Sequence, residues 1–289
     1  MTEHGTARAP AGALTPESRS SRHGPIAQLL IALSPLSAIL LLYASAQWAS
    51  GAVATGGVVG ATNRLGLPLH VADQPAVDRA VFGVVPSVWL QAHLVDGSAH
   101  WYDALAALVY ATHFVSIPLV TGVVWFRLRE RYAAWLIAVL TFIALGVAGY
   151  VLYPAAPPWL ASAHGQIGPV HRISDLGWHY LYLEPIARLS ASGQGESNPV
   201  AAMPSLHAGA AFLVAAFCWP VVNRWWRALL VLYVLLMAFA LVYTGEHYVL
   251  DVLVGWCVAA VGVSAGAARS RRRPRVPPRQ KGLSALPNG

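Results

Sequence analysis

Long apolar runs, separated by short polar or proline-rich segments, set the pattern of this chain. A helix crosses a bilayer in about 20 residues, and six runs near that length are free of charge or nearly so: 26–48, 104–126, 132–153, 203–222, 228–243 and 247–267. The fifth is short and the sixth carries Asp251 near its start. Both features suit helices packed inside a bundle, where protein replaces lipid around a polar group. The pattern predicts an all-α polytopic membrane protein, a six-transmembrane-helix bundle over residues 25–268.

The segments between the runs are less regular. Residues 1–24 mix Ala, Ser, Pro and charge without periodicity and are expected to form a disordered tail, as are 269–289, rich in Arg and Pro. The first apolar run is too long, and its polar lead-in too unlike an n-region, for a cleavable signal peptide. Residues 51–60 are apolar but Gly-rich and too short to cross, which predicts a loop or a re-entrant turn. Residues 81–94 are apolar but broken by Pro86, which predicts an interfacial or partly re-entrant helix. Residues 155–202 form the longest connection and hold many polar side chains.

Composition sharpens this picture. A hydrophobic share of 56% with 11% charged residues belongs to membrane proteins. The net charge of +7 is unevenly spread. With both termini cytoplasmic, only Arg64, Arg79, Arg172 and Arg188 of the 19 basic residues fall on outer segments. That asymmetry is the positive-inside pattern, so the charge marks orientation in a cell membrane and does not point to nucleic acid. Cys218 and Cys257 both lie in apolar runs and read as core residues, without a disulfide framework or a zinc site.

Candidate chemistry opens two of the runs. Met203-Pro204-Ser205-Leu206-His207 starts the fourth, and Glu246-His247-Tyr248-Val249-Leu250-Asp251 starts the sixth. Two crossings separate the clusters, so both return to one membrane face, where two distant histidines can share a site. His247 and Asp251 are four residues apart, on one face of a helix, where the carboxylate accepts one ring proton and leaves the other nitrogen aimed outward. An imidazole nucleophile or base needs that arrangement. Pro204 suits a first helical turn, whose N–H groups, with the Ser205 hydroxyl, cradle an anionic oxygen.

These residues resemble the type-2 phosphatidic acid phosphatase superfamily. Its second motif, usually Pro-Ser-Gly-His, is matched by Pro204, Ser205, Leu206 and His207, and the closing His and Asp of its third by His247 and Asp251. The spelling is closest to the inositolphosphotransferase branch, related to inositol phosphorylceramide synthase, in which a Pro-Pro-Trp element precedes these motifs, here Pro157-Pro158-Trp159. The similarity runs over about residues 103–256. It implies phosphoryl transfer on a lipid phosphate at the outer membrane face, with a phospholipid or polyprenyl phosphate as partner and no metal or cofactor. His247 is then the nucleophile, Asp251 fixes its tautomer, and His207 serves as acid and then base. Ser205 and the helix N-terminus stabilise the phosphoryl oxygens. An alcohol acceptor makes the protein a phosphotransferase, and water makes it a phosphatase.

Other positions carry two readings. His113-Phe114 resembles a His-Phe pair of the branch, so His113 is either site-lining or a satisfied structural imidazole. Tyr153 and Trp159 either mark a helix end and the membrane interface or border the site, as the resemblance implies. The family's first motif is absent, since no Lys precedes Lys281, and the Ser-Arg pair of its third would fall at Ala240 and Leu241. The cations that hold phosphate must therefore come from elsewhere, and Arg172, with His171, is the local replacement. Nine of the 11 histidines fall on the outer side or in the outer half of a span, yet none has the spacing of a metal site. A different class is a non-enzymatic histidine-rich bundle, in which His207 and His247 bind haem or line a transport path. A protease with Ser205 as nucleophile lacks the G-x-S-x-G element, and Ser205 is too near His207 along one helical turn.

Overall fold

The computed structural model of the protein describes residues 24–55, 58–195 and 198–271. Helix α1 (Pro25–Ser50) leads into strands β1 (Ala52–Thr55) and β2 (Val58–Asn63), followed by helices α2 (Asp73–Phe82) and α3 (Pro86–Leu94). Next come the long helices α4 (Trp101–Arg127) and α5 (Tyr132–Leu152), then the short α6 (Pro158–Ala163), α7 (Leu176–Tyr180) and α8 (Glu184–Gly195). Helices α9 (Leu206–Cys218), α10 (Arg224–Tyr243) and α11 (Val249–Arg271) complete the described chain.

Helices thus stand at all six predicted runs, as α1, α4, α5, α9, α10 and α11. Among the described residues four segments are long and apolar enough to cross a membrane: Trp101–Arg127, Arg129–Leu152, Arg224–Tyr243 and Val249–Arg269. Pro25–Ser37 and Leu206–Val221 are shorter apolar stretches. The boundaries moved where local chemistry overrode hydropathy. Helix α9 is cut to 13 residues because Ser205 caps it and a 3-10 turn with Pro220 follows it. Helix α10 starts earlier than residue 228 because the Asn223 side chain accepts from the N–H groups of Trp225 and Trp226, both at 3.1 Å. The expected tails lie outside the described residues except for Gly24 and residues 269–271, which finish α11.

The all-α expectation needs one amendment. Where residues 51–60 were expected to loop or re-enter, β1 and β2 pair antiparallel, with Thr55 opposite Val58 and Ala54 opposite Val59; Gly56 and Gly57 lie outside the described residues. The 81–94 segment is not one helix. Gly83 ends α2 in the left-handed region at φ 76°, which glycine adopts without strain, and α3 restarts at Pro86. At 9 residues α3 rises only about 14 Å, too little to cross.

The core of the bundle is α5, α9 and α11, held close by small residues. A Cβ on Gly255 of α11 would collide with the Ser205 carbonyl, and one on Gly262 would lie 2.6 Å from the Ala138 carbonyl of α5. Gly266 meets the Ala134 carbonyl in the same way. These glycines share a face of α11 with fully buried Ala259, so the backbones approach in the manner of small-residue packing in membranes. Trp135, Phe142 and Leu213 fill the space beside them.

The connecting segments bind one end of the bundle. Asp78 of α2 accepts from the N–H groups of Val249 (2.9 Å) and Leu250 (3.1 Å), satisfying donors that the start of α11 leaves open. Gln91 of α3 donates to the carbonyls of Tyr243 (2.9 Å) and His171 (2.8 Å) and accepts from the His171 N–H. The Ser205 N–H donates to the Asp251 carbonyl at 3.0 Å, tying the start of α9 to that of α11. At the opposite end Arg131, in the basic turn before α5, donates to the Phe217 carbonyl near the end of α9 at 3.2 Å.

Candidate active site

The start of α9, the end of α10 and the start of α11 converge at the clamped end. His247 lies in the turn before α11. That turn is fixed by Gly245 at φ 76°, where a Cβ would stand 2.7 Å from the His171 carbonyl, and by the N–H groups of Glu246 and His247, which both donate to the Leu241 carbonyl. His207 is the second residue of α9. Its ring lies between His113 of α4, 4.0 Å away between centroids, and His247, 5.7 Å away, while Tyr110 stacks on it at 4.8 Å.

Asp251 is fully buried behind His247. Its Oδ2 accepts from the Tyr248 N–H at 2.9 Å and stands 3.7 Å from His247 Nδ1. The last distance exceeds a hydrogen bond, but it turns Nδ1 toward the carboxylate and leaves Nε2 as the outward nitrogen. Neither His247 Nδ1 nor Asp251 Oδ1 has a hydrogen-bond partner among the described residues. The pairing expected from the spacing is thus present in direction, although His247 sits just ahead of the helix.

A cavity of about 760 Å³ opens onto the three imidazoles. Trp159 and Arg172 line it, as do Tyr110, Glu246 and the apolar side chains of Leu36, Ile117 and Ile143. A volume of this size suits a bound small molecule or lipid headgroup. Arg172 Nε donates to Glu246 Oε1 at 2.8 Å, its Nη1 to the Gln194 carbonyl at 3.1 Å, and its guanidinium lies over the Trp159 ring at 5.5 Å. His113 also lines it, and its buried Nδ1 has no hydrogen-bond partner among the described residues.

Two expected site residues lie apart from the cavity. Ser205 is fully buried, and its Oγ accepts from the Ala208 N–H at 3.3 Å as the N-cap of α9. Tyr153 stacks on His70 at 3.6 Å and donates to Asp73 Oδ2 at 2.9 Å. Hydrogen bonds from His70 and Tyr153 hold the Asp73 carboxyl below its ordinary value, and burial, then Asp73 itself, pushes the Tyr153 hydroxyl up. His171, named beside Arg172, is held through its backbone by Gln91. Sequence reasoning missed Tyr110 and Glu246. The signal for Glu246 was a carboxylate next to the candidate nucleophile, in a chain whose replacement cation needed a counter-charge.

A helical membrane bundle with converging histidines backed by an aspartate is the class that the fold and site define. The model of the PAP2 superfamily matches residues 76–265, and the chain belongs to that superfamily. Among characterised relatives, the phosphoinositol dihydroceramide synthase of Bacteroides thetaiotaomicron is 28% identical over 212 residues, covering 68% of this chain and 66% of that protein. The inositol phosphorylceramide synthase catalytic subunit aur1 of Schizosaccharomyces pombe is 27% identical over 164 residues, covering 55% of this chain and 39% of that protein. The alignments thus span just under two thirds of the first relative and well under half of the second. No solved structure matches.

Proposed function

We propose that this chain is an integral membrane lipid phosphotransferase that moves a phosphorylated headgroup from a phospholipid to an alcohol through a phosphohistidine on His247. The observation that carries this reading is the convergence of His113, His207 and His247 on one cavity, with Asp251 behind His247 and Arg172 on the wall. In the first step His247 Nε2 attacks phosphorus, and the bond to the lipid oxygen breaks. His207 gives that oxygen its proton, and Asp251 stabilises the imidazolium at His247. In the second step the acceptor hydroxyl attacks phosphorus, His207 takes its proton, and the P–N bond breaks.

Arg172, His113 and the N-terminus of α9, capped by Ser205, stabilise charge on the phosphoryl oxygens. Trp159 flanks the headgroup beside Arg172. Transfer is favoured over hydrolysis by the motif spelling and by the two relatives named as synthases. The six apolar helices all cross the membrane in this reading, with both termini cytoplasmic and the cavity outside; the grouping of Arg127, Arg129 and Arg131 at the far end supports it. The test is the product set of purified protein given labelled lipid phosphates with and without alcohol acceptors. A new phosphodiester that appears only with the acceptor is expected, whereas release of the phosphorylated headgroup to water, with or without the acceptor, would make the protein a hydrolase.

A further inference from the structure

Glu246 stands immediately before His247 and is 7% exposed. Its Oε1 accepts from Arg172 Nε at 2.8 Å and from Ser174 Oγ at 2.5 Å, and Gln194 Nε2 donates to the same Ser174 oxygen at 2.8 Å. A carboxylate is held in place by a built network beside the cavity that is to receive an anion. Among the described residues lining that cavity, Arg172 is the sole Arg or Lys and Glu246 the sole Asp or Glu. Their charges cancel, so before the histidines are counted the polar wall is neutral.

A neutral wall discriminates between anions by their charge. The cost of taking an ion out of water grows with the square of its charge, so a dianion pays about four times what a monoanion pays. The attraction to one guanidinium only doubles, and the repulsion from the neighbouring carboxylate doubles with it. A phosphomonoester carries nearly two charges at neutral pH, and a phosphodiester carries one. From this we infer that Glu246 is a specificity-determining residue, which makes the site select a phosphodiester lipid and reject the corresponding phosphomonoester. The inference rests on the reading of the cavity as a phosphoryl-transfer site and names the charge class of its donor.

The Glu246→Gln variant tests it, because an amide keeps the oxygen that Arg172 and Ser174 contact and removes only the charge. Full-length purified protein is given a phosphodiester lipid and the phosphomonoester with the same acyl chains. The wild type favours the diester, and in Glu246→Gln the ratio of rates falls by roughly tenfold or more, through a gain on the monoester. General damage lowers both rates and leaves their ratio alone, so an unchanged ratio in an active variant overturns the inference.

A measurement on the wild type removes any dependence on folding of the variant. An unreactive alkylphosphonate monomethyl ester and the free alkylphosphonate are compared as ligands at alkaline pH, where they carry one and two charges. The monoanion binds roughly tenfold tighter or better; equal or reversed affinities overturn the inference. A wild type inactive on every lipid phosphate would overturn the transferase reading instead, while the two ligands still tested the charge selection.

Discussion

The imidazoles of His207 and His247 stand 5.7 Å apart between ring centroids, one in the first turn of α9 and the other in the turn between α10 and α11. The backbone bond from Ser205 to Asp251 holds this spacing, because it ties the helix carrying one ring to the helix that follows the other. One phosphoryl group can touch both rings at that separation, and reaction from a bound geometry needs reacting atoms about 3–3.5 Å apart.

Arg172 is the cation that this account assigns to the phosphate. Arg172→Ala should lower kcat/KM by about 2 kcal/mol or more, since a charge-assisted contact in a partly buried wall is lost and Glu246 is left unpaired. Steady-state kinetics on the preferred donor check this. Values within a factor of about two of the wild type would assign the phosphate to His113 and the helix terminus instead.

Asp78 caps α11 from a distant part of the chain, so Asp78→Ala should destabilise the protein by about 0.5–2 kcal/mol, the range of a lost N-cap. The effect also depends on pH. Burial, the largest influence, raises the Asp78 carboxyl above 3.8, against the opposing N–H groups of Val249 and Leu250. The folded protein therefore holds this proton more tightly than the unfolded chain. The group's contribution is greatest below 3.8 and declines as pH rises toward the higher folded-state value. Melting temperatures in detergent should show that decline in the wild type and its removal in Asp78→Asn.

Gly255 allows α11 to touch the start of α9. Gly255→Val would drive a side chain into the Ser205 carbonyl and should cost about 1–3 kcal/mol of stability, as overpacking does. Thermal unfolding checks the cost, and because Ser205 stands two residues before His207 at the start of α9, activity should fall with it. A variant as stable and active as the wild type would show that the two helices can separate without disturbing the site.

Much of this was legible in the sequence, for physical reasons that also explain what was not. The six helices followed from apolar run length, and the direction of Asp251 toward His247 followed from a spacing of four. Those are local properties. The hairpin at β1 and β2 was hidden because a short Gly-rich apolar segment carries no period that separates a loop from a strand pair. Asp78 and Glu246 were hidden because their roles depend on partners far away in the chain, Val249 for one and Arg172 for the other. Tyr153, for which the sequence allows either a helix end or a place beside the site, follows the end of α5 and lies apart from the cavity, because its direction is set by His70 and Asp73, whose approach no local pattern encodes.

Orientation in the membrane is open to chemical labelling. With Cys218 and Cys257 replaced, His164→Cys, exposed after α6, should react with an impermeant thiol reagent in intact cells. Glu130→Cys, exposed in the basic turn after α4, should react only after the membrane is opened. The reverse pattern would put the cavity on the cytoplasmic side and contradict the positive-inside argument.

The central claim is that His247 carries the phosphoryl group, and rapid quenching with a donor labelled at phosphorus tests it most directly. The wild type should show label on the protein within the first turnover, lost in acid and stable in base, as a phosphoramidate is. With an aryl leaving group, which departs without a proton, His207→Ala should still take up label and hold it longer, because the base for the second step is missing. His247→Ala should take up none. Label on His247→Ala at the wild-type level, or a wild type that turns over without ever carrying label, would contradict the account.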